Sequence, residues 1–257
     1  MCLIVFALRA RGDLPLVIAA NRDEFYARPT AAAAPWPDFP DVIGGRDLRE
    51  GGSWLGITRA GRWAAVTNFR EVVPARPGAP SRGALVADFL TGDLSPAAYL
   101  AALAPRAASF HGFNLLVGDP EGVRWFSNRG GDHPLHDRDL EPGVYGLSNH
   151  LLNTPWPKVE AGRADLERAL DHGADPDTLL EGLLDRTLAE EARLPSTGVP
   201  RELERTLSSR FISGTEYGTR CSTVIRVDRD RHALLLERSF LPPDLVSLSR
   251  HEFTVHV

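Results

Sequence analysis

Cys2 stands directly behind the first methionine, at the head of the apolar run "MCLIVFALRA". Removal of Met1 would leave one residue carrying both a thiol and a free α-amine. The thiolate is the attacking form of a cysteine nucleophile. An α-amine, with an ordinary pKa of about 7.7–8.0, can accept and return a proton near neutral pH. Such a residue needs a cation to favour the thiolate and a carboxylate to orient the amine. It also needs amide donors for the oxyanion that forms on an acyl carbon. The competing reading is a small hydrophobe that opens a buried strand.

The partners come from the next stretch of chain. "CLIVFAL" and "LPLVIAAN" are short apolar runs joined by "RARGD", whose Gly-Asp reads as a hairpin turn. In an antiparallel hairpin the end of the second strand lies opposite the start of the first, which brings Asn21, Arg22 and Asp23 beside Cys2. Arg22 would then favour the thiolate, and Asp23 would accept a hydrogen bond from the α-ammonium. A register slip of one residue would turn Arg22 to the other face.

The elements that must position these groups follow from pattern. Residues 27–41, "ARPTAAAAPWPDFPD", read as a surface loop. "GGSWLGITRAGRWAAVTNFR" is a second hairpin with Ala60-Gly61 at its tip, and "FNLLVGDPEGVRWFSN" a third, turning at Asp119-Pro120-Glu121-Gly122. Helices are expected from Ser81 to about Leu90, from Ser95-Pro96 to about Ala108, over Trp156–His172, and from Asp175-Pro176 to about Ala192. "GVYGLSNH", "TRCSTVIRVD", "HALLLERSF" and "HEFTVHV" read as strands. The order strands, helices, strands predicts a layered α+β domain, and no repeat or linker divides residues 1–257.

Composition narrows the function. A net charge of −5 argues against a general nucleic-acid binder. Residues 2–8 lack the basic flank and cleavage site of a signal peptide, and no apolar stretch reaches membrane-spanning length. With only Cys2 and Cys221 present, reduced thiols in the cytoplasm are expected, Cys221 packing in the core. Lys158 is the sole lysine among many arginines, which reads as compositional bias.

Other polar motifs have plainer readings. "IGGRDLREGG" lacks the Gly-Lys-Ser/Thr ending of a phosphate loop. It reads as a shaped loop over the pocket, Arg46 paired with Asp47 and able to meet an anionic ligand. His133 and His136 have metal-like spacing, but Pro134 breaks the helix such a pair would need, and no metal is expected. His150 is a pocket candidate beside Asn149, and Trp54 and Trp156 could wall an apolar ligand site.

Taken together, "ANRDEF", "IGGRDLREGGSWLGIT", "GRWAAVTNFR", "YGLSNHLLNTPWPKV" and "YGTRCSTVI" resemble the NRDE family, the transport and Golgi organisation protein family, from Cys2 to about Phe240. That family resembles N-terminal-nucleophile hydrolases, which implies an αββα four-layer sandwich. The choloylglycine hydrolase and penicillin V acylase group is the nearest in motif. The resemblance carries Asp23 onto that group's aspartate and Asn68 and Asn149 onto its two asparagines. Arg22 is adjacent to Asp23 instead of three residues before it, a departure from the pattern. The group's late arginine falls on Arg210 or Arg220.

The resemblance implies a cysteine hydrolase of amide or ester bonds, with Cys2, Arg22, Asp23, Asn68, Asn149 and Arg220 catalytic and no cofactor required. Asn21, Arg46, Trp54, His150 and Arg210 are expected to contact the ligand. The alternative is a carrier for an apolar anionic ligand such as haem or an acyl lipid, in keeping with the family's links to Golgi organisation and to haem and lipid handling.

Overall fold

The computed structural model describes residues 2–74, 76–241 and 244–256. Cys2–Arg11 (β1) and Leu14–Phe25 (β2) form the antiparallel hairpin that their sequences predict. Both strands are apolar at nearly every position because both faces are covered. Ile4, Phe6, Leu8, Leu16 and Ile18 join one buried cluster, while Leu3, Val5, Ala7, Val17 and Ala19 join another. The alternation is the period-two geometry of a strand.

Six strands make up each of two sheets. The second comprises Thr30–Pro35 (β3), Val42–Asp47 (β4), Leu55–Thr58 (β5), Trp63–Asn68 (β6), Phe113–Gly118 (β7) and Val123–Ser127 (β8), paired in chain order. In the first, β1 and β2 are flanked by Gly143–Leu147 (β9) on one side. Tyr217–Val227 (β10), His232–Leu241 (β11) and Asp244–Thr254 (β12) continue it on the other. Ile4, Phe6 and Ile18 meet Ile57, Trp63, Leu116 and Trp125 between the sheets.

Helices close the outer faces. Gly83–Thr91 (α1) and Pro96–Leu103 (α2) bury Leu85, Phe89 and Leu100 against Phe113 and Leu115 of the second sheet. Pro157–Asp171 (α3) and Pro176–Leu183 (α4) bury Val159, Leu166 and Leu180 against Leu3, Val5 and Val17 of the first. The layers run helix, sheet, sheet, helix, the αββα sandwich that the family resemblance implies. A short helix, Arg201–Thr206 (α5), follows. No helix among the described residues is long and apolar enough to cross a membrane.

Helix starts follow their capping residues. Ser95 accepts the Ala98 N–H at 3.3 Å and Asp175 accepts the Thr178 N–H at 2.8 Å. Four details differ from the pattern reading. Residues 27–41 contain β3, whose alanines carry none of the β-branched or aromatic bias that signals a strand. The glycine-rich motif opens with β4. Helix α4 ends at Leu183, well short of Ala192, and Asp185 then accepts both the backbone N–H and the hydroxyl of Thr187 in a turn. Helix α5 is too short to show a helical period.

Two glycines of the motif are there for close approach. A Cβ on Gly45 would overlap the Trp54 ring, and one on Gly52 would overlap the Gly83 backbone at the start of α1. Gly45→Ala is therefore expected to force Trp54 from its place and cost about 1–3 kcal/mol, the range for overpacking a filled site. Urea denaturation measures the loss, and tryptophan fluorescence reports the displaced ring.

Candidate active site

The register of the central strands fixes the site. Cys2 lies opposite Arg22 across the β1–β2 ladder, and Cys221 of β10 lies opposite Arg22 from the other side. These positions share the parity of Ile4, Ile18 and Ile225, so Arg22 and both cysteines face the second sheet. With all of β2 between them, the cysteines sit two strand spacings apart, roughly 9–10 Å, beyond disulfide reach, and both are free.

Arg22 is buried with its guanidinium 4.2 Å from the Trp54 ring centroid, and it donates to Thr30 Oγ1 at 3.3 Å. Gly45 beneath the tryptophan makes this stack possible. Asp23, the next residue, takes the opposite parity. Its Oδ1 accepts the Thr219 hydroxyl at 2.7 Å and its backbone carbonyl accepts the Tyr217 hydroxyl at 3.1 Å. Residues 22 and 23 therefore serve the two sides of one strand end, an arginine on the thiol's side and a carboxylate on the side covered by α3.

Cys2, Arg22, Asp23, Trp54, Asn68 and Arg82 line a cleft of about 260 Å³. Arg28, Glu24, Asp47 and Glu50 extend its wall. Burial, joined by the Asp23 charge, pushes the Cys2 thiol pKa up, while the N-terminal charge, a hydrogen bond from the Asp23 N–H and the Arg22 charge pull it down. The net direction is upward, so the thiol rests protonated. Asp23 is also raised, first by burial, against the downward pull of the N-terminal charge, Lys158, Thr219 and Arg22.

A polar bridge ties this end of the first sheet to the second. Ser148 donates its hydroxyl to the Cys2 carbonyl at 2.8 Å, and the Ser148 carbonyl accepts the Thr67 hydroxyl at 2.6 Å. Asn149 donates its amide to the Asn68 carbonyl at 2.8 Å, and its own carbonyl accepts the Arg70 N–H at 2.7 Å. Asn149 thus holds the Asn68 backbone in place with one N–H of its side-chain amide.

Several expected site residues lie elsewhere. Asn21 has the parity of Asp23 but sits deeper, donating to the carbonyls of Leu183 and Arg210 and accepting the Ser222 hydroxyl. Arg46 pairs with Asp38 at 2.7 Å and stacks on Trp36, whereas Asp47 takes Arg28, so the Arg46–Asp47 pair does not form. His150 packs between Phe69 and Trp156 with Nδ1 2.9 Å from Thr154 Oγ1. Arg210 is captured by Asp165 and Asp185, away from the cleft. Arg220 is the extra residue of a bulge between Thr219 and Cys221, and the carbonyls of Phe25, Tyr26 and Arg28 hold it at 2.9–3.1 Å. It lines a separate cavity with Cys221 and Glu237. Met1, whose removal the nucleophile reading requires, lies outside the described residues.

Other residues enter from segments whose sequence gives no chemical pattern. Arg70 and Glu204 form a buried ion pair, and the Arg70 guanidinium lies 4.5 Å from the Trp156 ring centroid. Arg82 donates to the Gly112 carbonyl at 3.0 Å from the cleft wall. Lys158 is buried at the start of α3, and burial lowers its pKa to about 8 against the opposing pull of Asp23. Its standing as the sole lysine was the one available signal.

The Lys158 shift has a stability consequence. The folded chain releases this proton near pH 8 and the unfolded chain near the ordinary lysine value of about 10.4, so the unfolded state holds more protons in between. Wild-type stability relative to Lys158→Met should therefore rise with pH across that window, by about 2–3 kcal/mol in total. Denaturation of both proteins at pH 7.5 and pH 9.5 checks the sign.

The comparisons with known proteins agree with the motifs. The family described as Transport and Golgi organisation 2 matches residues 1–242. The Transport and Golgi organization protein 2 homolog of Bos taurus is 38% identical over 277 residues, covering 100% of this chain and 98% of its own. The Homo sapiens homolog is 36% identical, with 99% of each chain covered. Among solved structures, a Caenorhabditis elegans N-acylethanolamine-hydrolyzing acid amidase ortholog aligns over 87% of this chain and 92% of its own, with a TM-score of 0.46 and 14% identity. With the family model matching residues 1–242 and relatives above a third identical along nearly their whole length, the chain belongs to the Transport and Golgi organisation 2 family.

Proposed function

We propose that the chain, once Met1 is removed, is a cysteine hydrolase of small-molecule amide or ester bonds acting through Cys2. The observation that carries this reading is the strand register that sets Cys2 beside Arg22 in one cleft and puts the Asp23 carboxylate on the other face of the same strand end. Two free thiols suit a reducing compartment, and the reading sets the protein in the cytoplasm.

The resting thiol is protonated, so attack requires a base. In this reading the α-amine of Cys2 takes the thiol proton as Sγ bonds to the carbonyl carbon. The carbonyl electron pair moves onto oxygen, where Arg22 and the Asn68 amide are the donors at hand. Collapse breaks the C–N or C–O bond, and the α-ammonium returns its proton to the departing amine or alcohol. Water, deprotonated by the same amine, attacks the thioester and releases the acid and the free thiol. Asp23 keeps the amine oriented throughout.

The carrier reading draws on a different feature of the same cleft, the cationic rim of Arg22, Arg28 and Arg82, which could hold a carboxylate or phosphate. Glu24, Asp47 and Glu50 on that wall and a volume of about 260 Å³ suit a small polar group better than a haem macrocycle.

Intact mass of protein isolated from its natural host should show Met1 missing. An activated acyl probe should then label the wild type on Cys2 and leave Cys2→Ala unlabelled. Quantitative retention of Met1, or equal labelling of the two proteins, overturns the reading. Ligand binding unaffected by Cys2→Ala, without turnover of amides or esters, would favour the carrier.

A further inference from the structure

Lys158 is out of place by every structural criterion. It is 4% exposed, and among the described residues its Nζ has no hydrogen-bond partner. It occupies the first turn of α3, where the helix dipole disfavours a cation. A methionine would fill similar volume without the cost of desolvating an ammonium.

The placement of α3 shows what the ammonium is near. Gly162, one turn further along, lies on β1, where a Cβ would stand 3.0 Å from Val5 and 3.6 Å from Leu3. At the other end of α3 the Leu170 carbonyl accepts from Arg11, at the far end of β1, so the first turn lies toward the Cys2 end of that strand, on the face that Asp23 shares. The charges that act on Lys158 are Asp23 on β2, Arg70 after β6, Cys2 on β1 and Glu204 on α5. Arg70 and Glu204 are paired with each other, and Glu204 also accepts the Thr197 N–H at 2.9 Å. The Cys2 thiol rests protonated, so Asp23, on which the N-terminal charge and Arg22 also act, is the anion that the ammonium serves as a counter-charge.

We propose that Lys158 is a positioning residue of the Cys2 site, its ammonium being a counter-charge that helps to keep Asp23 ionised so that the carboxylate can orient the Cys2 amine. A buried carboxyl that loses its nearby cation takes up a proton more readily. Protonated Asp23 would no longer serve as a pure acceptor for an ammonium. The proposal rests on reading Cys2 as the nucleophile, but its first test does not.

Because the chain has one lysine, growth on lysine labelled with ¹³C at Cε gives a single lysine signal from the native protein. Its titration midpoint should lie below the ordinary value of about 10.4 and fall further in Asp23→Asn. The second readout is the pH dependence of Cys2 acylation. In Lys158→Met the acid limb should move to higher pH, slowing acylation at pH 6 by roughly threefold or more, while Lys158→Arg retains the wild-type limb. A lysine signal with an ordinary midpoint, unmoved by Asp23→Asn, overturns the proposal. So does a Lys158→Met protein that acylates with the wild-type profile. Should Lys158→Met fail to fold, the wild-type titration decides. If Met1 proves to be retained, the hydrolase reading falls while the titration still reports whether Lys158 and Asp23 are coupled.

Discussion

Everything at the candidate site depends on one ladder, the antiparallel pairing of β1 with β2 that sets Cys2 opposite Arg22. Side-chain direction in a strand has a period of two, so a shift of one residue would send Arg22 to the helices and Asn21 to the thiol. The apolar runs on either side forbid that shift. Ile4, Phe6 and Ile18 fill the space between the sheets, and Leu3, Val5 and Val17 fill the space under α3 and α4. The two hydrophobic faces that stabilise the sandwich are therefore also what aims the polar groups at its end.

The same ladder explains how two neighbouring residues act on different parts of one cysteine. Arg22 faces the second sheet with the thiol and is braced by Trp54, which itself depends on the missing side chain of Gly45. Asp23 faces the helical layer, where Thr219, Tyr217 and Lys158 surround it. Ser148 and Asn149 then lock this strand end to β6, so the cleft has walls from both sheets and a fixed width. A site built on paired strands and cross-sheet hydrogen bonds is held more firmly than one built on loops alone.

The hairpins and the company of Cys2 were legible in the sequence because both follow from local rules. "RARGD" between two apolar runs specifies a turn, and a hairpin places Arg22 and Asp23 beside Cys2 whatever else the chain does. The face that Arg22 takes was not legible, since it depends on which side each apolar residue finds its partners. β3, the edge strand of the second sheet, was hidden by its alanines, which do not advertise a strand. Arg46 and Arg210 looked like pocket residues, but Asp38, Asp165 and Asp185 reach them from segments that no sequence spacing connects. Arg220 was lost to a bulge, an extra residue that breaks the alternation on which the expectation rested.

Lys158 shows why residue type matters as much as position. Arg70 pairs with Glu204 and lies on the Trp156 ring, arrangements that suit a planar guanidinium. Among the described residues no hydrogen-bond partner meets the Lys158 ammonium. A guanidinium there would bring five donors to a place with few acceptors and would stay charged at any working pH. An ammonium is a compact charge whose pKa yields to burial, and at about 8 it can respond to the state of Asp23 and Cys2. In a chain whose other permanently charged cations are all arginines, the exception falls at a buried helix start where a compact cation lies beside Asp23.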